Sequence, residues 1–174
     1  MTRSPQPRHQ RPADQPVPAG HQHAHQRIPW RRVLRAALVS GSMASIASTV
    51  MVLLRSRGHD GATASGTNAA SQWVWGRQAR RTRGWSWRHT ALGYAIHHAS
   101  SVFWACGYEG WNALRPPRRQ PPLGRAAAIA VLAWWVDYHV VPPRLSPGFE
   151  HRIGRAGMFL TYAAFAAGLA AASH

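Results

Sequence analysis

The sequence predicts an all-α, polytopic membrane protein, a bundle of four transmembrane helices behind a disordered N-terminal tail. Three observations predict it. Four stretches, 36–54, 90–108, 126–142 and 156–173, are almost free of charge, and each is near the ~20 residues that cross ~30 Å of hydrocarbon. The basic residues flank these stretches rather than interrupting them. Proline-rich or polar segments separate one stretch from the next.

Composition first suggests something else. The 174 residues carry 21 basic side chains, all Arg, against five acidic ones, a net charge of +16. A nucleic-acid binder would lay such charge along one folded face. Here Arg falls in blocks, Arg3 to Arg35, Arg55 to Arg88, Arg115 to Arg125 and Arg144 to Arg155, as at the two surfaces of a membrane. Nucleic acid is therefore not the expected partner. The lipid bilayer, and anionic lipid in particular, is. The mean hydropathy of −0.30 is low for such a protein because the tail and the Arg-rich loops depress it. The length suits one unit, and the single Cys106 excludes an internal disulfide.

Residues 1–30 are rich in Pro, Gln, Arg and His. They cannot bury a core and are expected to be disordered. His21, His23 and His25 alternate there, a tract that binds transition metals weakly at most, since nothing fixes a geometry. The membrane domain is 31–174. Its first span carries small residues at every fourth position, Ala37, Gly41, Ser45 and Thr49, a flat stripe against which another helix can pack. Ala62-Thr63-Ala64 resembles a signal-peptide cleavage site, but the apolar stretch before it is long for a signal sequence and charges intervene.

Residues 55–88 read as a polar loop with an interfacial second half. Trp73, Trp75, Trp85 and Trp87 are interleaved with Arg77, Arg80, Arg81, Arg83 and Arg88. Indole favours the headgroup level and Arg favours anionic lipid. The second span holds His97 on a stripe with Gly93, Ser101 and Ala105, and His98 on one with Tyr94, Val102 and Cys106. The connection 109–125 is too proline-rich to be helical. The third span contains Asp137 and His139 and closes at Pro142-Pro143. The fourth is expected to begin near Ser146-Pro147 as N-cap and first helical residue. Glu150 follows in its first turn, and Gly157, Thr161, Ala164 and Gly168 form its small face. Arg is nearly balanced between the two sides. Arg27, Arg31, Arg32 and Arg35 before the first span favour a cytoplasmic N-terminus in a multi-pass protein of the bacterial inner membrane.

Ionisable groups within a bilayer are costly, which makes His97, His98, Asp137 and His139 the candidate polar site. Asp137 shares a small-residue stripe with Ala126, Ala130 and Ala133 and should face the bundle. At 1.5 Å per residue, His97 and Asp137 lie at similar depths, about 15 and 18 Å from one surface, so the two could meet. One reading is a proton-responsive or transport-like site of unknown ligand; the other is a hydrogen bond that locks two helices. A scaffold that grips anionic lipid through the Trp/Arg loop is the alternative function, and a metal-dependent membrane enzyme the third. The four residues are suitable metal ligands but lack a dense motif such as His-Glu-x-x-His. No catalytic residue and no cofactor is expected, and haem between two histidines is disfavoured. Glu150 is expected to pair with Arg144 or Arg152. A homo-oligomer is compatible with the sequence.

Three segments, Asn68-Ala-Ala-Ser-Gln-Trp-Val-Trp-Gly76, Arg88-His-Thr-Ala-Leu-Gly-Tyr-Ala-Ile-His-His-Ala-Ser-Ser-Val-Phe-Trp104 and Pro143-Arg-Leu-Ser-Pro-Gly-Phe-Glu-His-Arg152, resemble a group of small uncharacterised bacterial integral inner-membrane proteins. The likeness spans roughly 33–172. A more distant one, to YagU-type inner-membrane proteins, rests on His98 to Tyr108. The resemblance implies a bacterial membrane and four helices, and no catalytic residue.

Overall fold

The computed structural model describes residues 28–114 and 122–172. The His21–His25 tract and most of the expected tail lie outside them. Among the described residues every regular element is helical: α1 (Trp30–Asp60), α2 (Ser65–Ala70), α3 (Gln72–Trp75), α4 (Arg77–Arg81), a π-helical turn (Trp87–Ala91) leading into α5 (Leu92–Leu114), α6 (Pro122–His139) and α7 (Glu150–Ala171). The all-α expectation holds. Two helices, α1 and α7, are long and apolar enough to cross a membrane.

α1 is the spine. It packs along α7 on one side and α5 on the other, and α6 packs on α7. The contact faces are made of small residues. A Cβ on Gly168 would lie 2.5 Å from Ala44 Cα, and one on Gly41 would lie 2.7 Å from Val102 Cα. Only glycine permits backbones this close, and close approach maximises dispersion contacts between helices. The buried face of α1 is Ala37, Ser40, Gly41, Ala44, Ser45, Ser48, Val52 and Ser56. Thr49, expected on that face, is only half-buried. Four residues turn 400°, so a strict period of four drifts off the contact face and Ser48 replaces it. Likewise in α7, Gly157, Thr161 and Gly168 are buried while Ala164 yields to Phe165.

The molecule is polar and small inside, large and apolar outside. Buried serines line α1. Leu34, Leu38, Val39, Ile46, Val50 and Leu54 of the same helix are exposed. So are Phe103 of α5, Val131, Leu132 and Trp135 of α6, and Phe159 of α7, the last at 75%. A water-soluble fold leaves about 1.5–3 kcal/mol unrealised for each such side chain.

Several boundaries differ from the sequence reading. α1 extends one turn or more beyond 36–54 at both ends, because Arg and Ser continue a helix as readily as apolar residues do. α5 runs on through Leu114, into the connection read as non-helical. α6 ends at His139, three residues before Pro142, as the restriction on residues preceding proline allows. Ser146 is not the N-cap of α7. Phe149 holds that place without a side-chain cap, and the Ser146 hydroxyl donates to Pro143 O at 3.0 Å. Gly154, with φ of 66°, then kinks α7, and a Cβ there would meet the His59 ring at 3.3 Å.

The largest departure is the supposed loop 55–88. Its middle folds into α2, α3 and α4, and every residue of α2 is buried. α2 wedges between α1, α5 and α7. Gly93 makes room for it, since a Cβ there would sit 2.0 Å from Thr67 O. Asn68, fully buried, donates to Thr82 O (3.0 Å) and Gly84 O (2.8 Å) and accepts from Thr90 Oγ1 (2.5 Å). One amide thus ties the wedge to the Arg-rich segment and to the start of α5. An electrostatic clip closes the same end. Arg152 Nη1 bonds Asp60 Oδ1 at 2.9 Å, Arg83 Nη1 reaches it at 3.3 Å, and Arg152 Nη2 also donates to Arg80 O.

Burial, the largest single influence on Asp60, pushes its carboxyl up, but the Ser65 hydroxyl and the two guanidinium groups outweigh it and hold the carboxyl below its ordinary value. The clip therefore stabilises fully above the unfolded-state pKa of about 3.9 and is lost as pH falls through the lower folded value. We expect Asp60→Asn to cost about 1.5–3 kcal/mol at neutral pH, the worth of hydrogen bonds to a charged group. Denaturation in detergent should show this gap constant from pH 7 to about pH 4 and closing below it. A gap that closes at higher pH would mean that the carboxylate is not the source.

Candidate functional site

α5 and α6 converge at one end only, where Ala105 and Tyr108 meet Ala126 and Ile129 in the core and Tyr108 Oη donates to Pro122 O at 3.4 Å. Toward the other end they diverge, and a cavity of about 60 Å³ opens between α5, α6 and α7. It has room for a few water molecules or a small polar ligand. Ser48, His97, Ser101, Asp137, Thr161 and Tyr162 supply its polar lining. Trp73, Leu145, Pro147 and Phe149 border it from the short helices and the loop before α7. That loop is held in place by Gln72, whose amide donates to Ser146 O (2.7 Å) and Ser146 Oγ (3.2 Å).

Each of the two central ionisable groups is fixed by a hydroxyl from a different helix. His97 Nε2 lies 2.8 Å from Ser48 Oγ of α1, and its ring meets Phe149 edge-on at 6.4 Å. Tyr162 of α7 donates to Asp137 Oδ2 at 2.6 Å. His97 and Asp137 therefore face one cavity from different helices, but neither is the hydrogen-bond partner of the other. The reason is the packing order. α6 sits on α7, which supplies Tyr162, and α5 sits on α1, which supplies Ser48.

The other two expected members lie elsewhere. The His98 ring sits 5.7 Å from Tyr94 with Nδ1 buried and without a hydrogen-bond partner. His139 is exposed, stacked on Trp135 at 6.2 Å and edge-on to Trp134. The stripes assigned to His97 and His98 differ by about 100°, and only the first faces the cavity. Among the described residues no three His, Cys, Asp or Glu side chains are placed to hold a metal ion.

Next to the cavity, Tyr138 donates to Glu150 Oε2 at 3.3 Å, and Ser146 Oγ lies 3.5 Å from Glu150 Oε1. His151 Nε2, largely exposed, is 3.5 Å from the same carboxylate. The expected partners Arg144 and Arg152 are not its partners: Arg152 is committed to Asp60, and Arg144 is exposed. The Trp/Arg segment divides as well. Trp85 and Trp87 are exposed, at 68% and 92%, as are Arg81 and Arg88. Trp75 is half-buried, with Arg88 3.8 Å above its ring, and Trp73 lines the cavity. Arg80 and Arg83 join the clip at Asp60.

The sequence reading missed Ser48, Tyr138, Tyr162 and Gln72. Ser48 had a signal, three residues after Ser45 on the α1 stripe. Tyr138 and Tyr162 carry no motif that singles them out, and Gln72 lies in the segment read as a loop. In comparisons with protein-family models, curated proteins and solved structures, the chain matches none.

Proposed function

We propose that this chain is a multi-pass protein of the bacterial inner membrane whose four long helices enclose a proton-responsive His97/Asp137 site. The observation that carries the site is the cavity itself, with two ionisable groups from different helices, each held by one hydroxyl and both turned to the same small volume. Support for four spans comes from the outward apolar faces on α1, α5, α6 and α7 and from helix lengths of about 27 Å or more. A large apolar surface of this kind marks a membrane or partner contact. An ion or polar group within hydrocarbon is retained where it handles protons, ions or solutes, which makes the site transport-like or responsive rather than catalytic.

A second reading draws on the exposure of Trp85 and Trp87 beside Arg81 and Arg88: this end of the bundle grips anionic lipid and serves as a membrane scaffold.

Three outcomes are expected. In a Cys106→Ser background, Arg81→Cys and Arg144→Cys should react with an impermeant maleimide in intact cells, and Leu114→Cys only after permeabilisation. Labelling of all three from one side would eliminate four spans, and the inverse pattern would reverse the orientation. Asp137→Asn should accumulate at wild-type level, lose no more than about 1–2 kcal/mol in detergent, and behave in a deletion strain like the deletion. A phenotype that merely follows protein level would reduce Asp137 to a structural tie. The intact protein in nanodiscs should hold anionic lipid more tightly than zwitterionic lipid, with a preference that weakens in salt and drops in an Arg81→Gln, Arg88→Gln double variant, each contact being worth about 1 kcal/mol. An unchanged preference would remove the scaffold reading.

A further inference from the structure

We propose that Glu150, Tyr138, Tyr162 and Asp137 form a proton relay from the loop-side surface at His151 to the buried cavity. This rests on the proton-responsive reading of the His97/Asp137 site and names the route by which the proton arrives.

The groups stand in the required order. His151 is largely exposed and its Nε2 lies 3.5 Å from Glu150, whose side chain is 19% exposed. Tyr138 donates to Glu150 at 3.3 Å. Tyr138 and Tyr162 line one groove between α6 and α7. Tyr162 donates to Asp137 at 2.6 Å, and Asp137 lines the cavity opposite His97. Each phenol is both donor and acceptor, so it can take a proton on one side and release one on the other. The alternation of carboxyl, phenol, phenol and carboxyl is more than a structural tie requires, since one Tyr162–Asp137 bond would already join α6 to α7.

The transfer balances. A proton on Glu150 passes to the Tyr138 oxygen, Tyr138 releases its own proton to the Tyr162 oxygen, and Tyr162 releases its own to the Asp137 carboxylate. One proton has then moved from Glu150 to Asp137, and both hydroxyls point back toward Glu150. Rotation about the two C–O bonds resets the chain. The present contacts include both orientations, with Tyr162 donating to Asp137 as before a transfer and Tyr138 donating to Glu150 as after one. Besides these groups, His97 of α5 faces Asp137 across the cavity, and Arg155 of α7 borders the groove into which both phenols project.

The test is time-resolved infrared spectroscopy of the full chain in nanodiscs after a pH jump. The Asp137 carboxyl band is identified by its loss in Asp137→Asn. Tyr138→Phe keeps the ring and the Tyr162–Asp137 bond, and it should slow the appearance of that band on the order of a hundredfold, the lower end of what a positioned proton-transfer group contributes. Tyr162→Phe should slow it similarly, and Glu150→Gln should slow it while leaving the final amplitude intact. A band that forms at the wild-type rate in Tyr138→Phe overturns the relay and leaves the proton-responsive site standing. A protein with no titrating Asp137 band overturns both. Thermal unfolding separates misfolding from slow transfer. Should Tyr138→Phe fail to fold, the rate in Glu150→Gln decides, and a wild-type rate there overturns the relay.

Discussion

Everything else in the structure depends on the close approach of α7 to α1, where the hydrogen of Gly168 faces the backbone of Ala44. The dispersion contacts between two helices depend on how near their backbones come. Small residues on both helices satisfy that condition along most of their length. The second contact of α1, with α5 through Gly41 and Val102, follows the same rule. A central helix with two small faces leaves its large side chains nowhere to point but outward. The exposed leucines and valines of α1 are thus a consequence of its tight packing.

α2 extends the logic to a polar segment. A six-residue helix cannot sustain itself in isolation, and this one is fully buried. Its backbone can be accommodated because Gly93 and Gly66 remove side-chain bulk where α5 and α1 pass. It is held because Asn68 spends its amide on two carbonyls and one hydroxyl. The clip of Asp60 with Arg83 and Arg152 then fixes the ends of α1, α4 and α7 to one another. Small residues and a few well-satisfied polar groups, rather than a large apolar core, define this end of the molecule.

The features legible in the sequence were those with a period or an outlier. Uncharged stretches located the four long helices, and the stripes Gly93–His97–Ser101–Ala105 and Ala126–Ala130–Ala133–Asp137 located their inner faces. Depth along each helix placed His97 and Asp137 at one level. What the sequence did not reveal was which helices touch. The matching positions of His97 and Asp137 suggested that α5 and α6 meet there, whereas α6 lies mainly on α7. That one difference reassigns the partners, so Ser48 and Tyr162 bond the two ionisable groups that were paired with each other. α2 was illegible for another reason. Gly66, Thr67, Asn68 and Ala69 read as loop chemistry, and their helical state is imposed by tertiary contacts that no local pattern encodes.

The divergence of α5 from α6 also explains how a polar cavity persists among tightly packed helices. A lone carboxyl facing hydrocarbon costs roughly 2.5–3.5 kcal/mol even on lenient insertion scales. Asp137 avoids that cost by facing inward, with Tyr162 as donor and Ser101 and Thr161 bordering the same space. Had α5 packed fully against α6, the space would close and His97 would press on Ala133 and Asp137 with no room for water between them. Trp104, Phe149 and Phe165 instead hold the walls apart, and the Gln72–Ser146 bonds keep the bordering loop in place. The cavity is therefore built by large side chains at a place where the neighbouring contacts use small ones. That reversal is the physical reason to read it as a site and not as a packing defect.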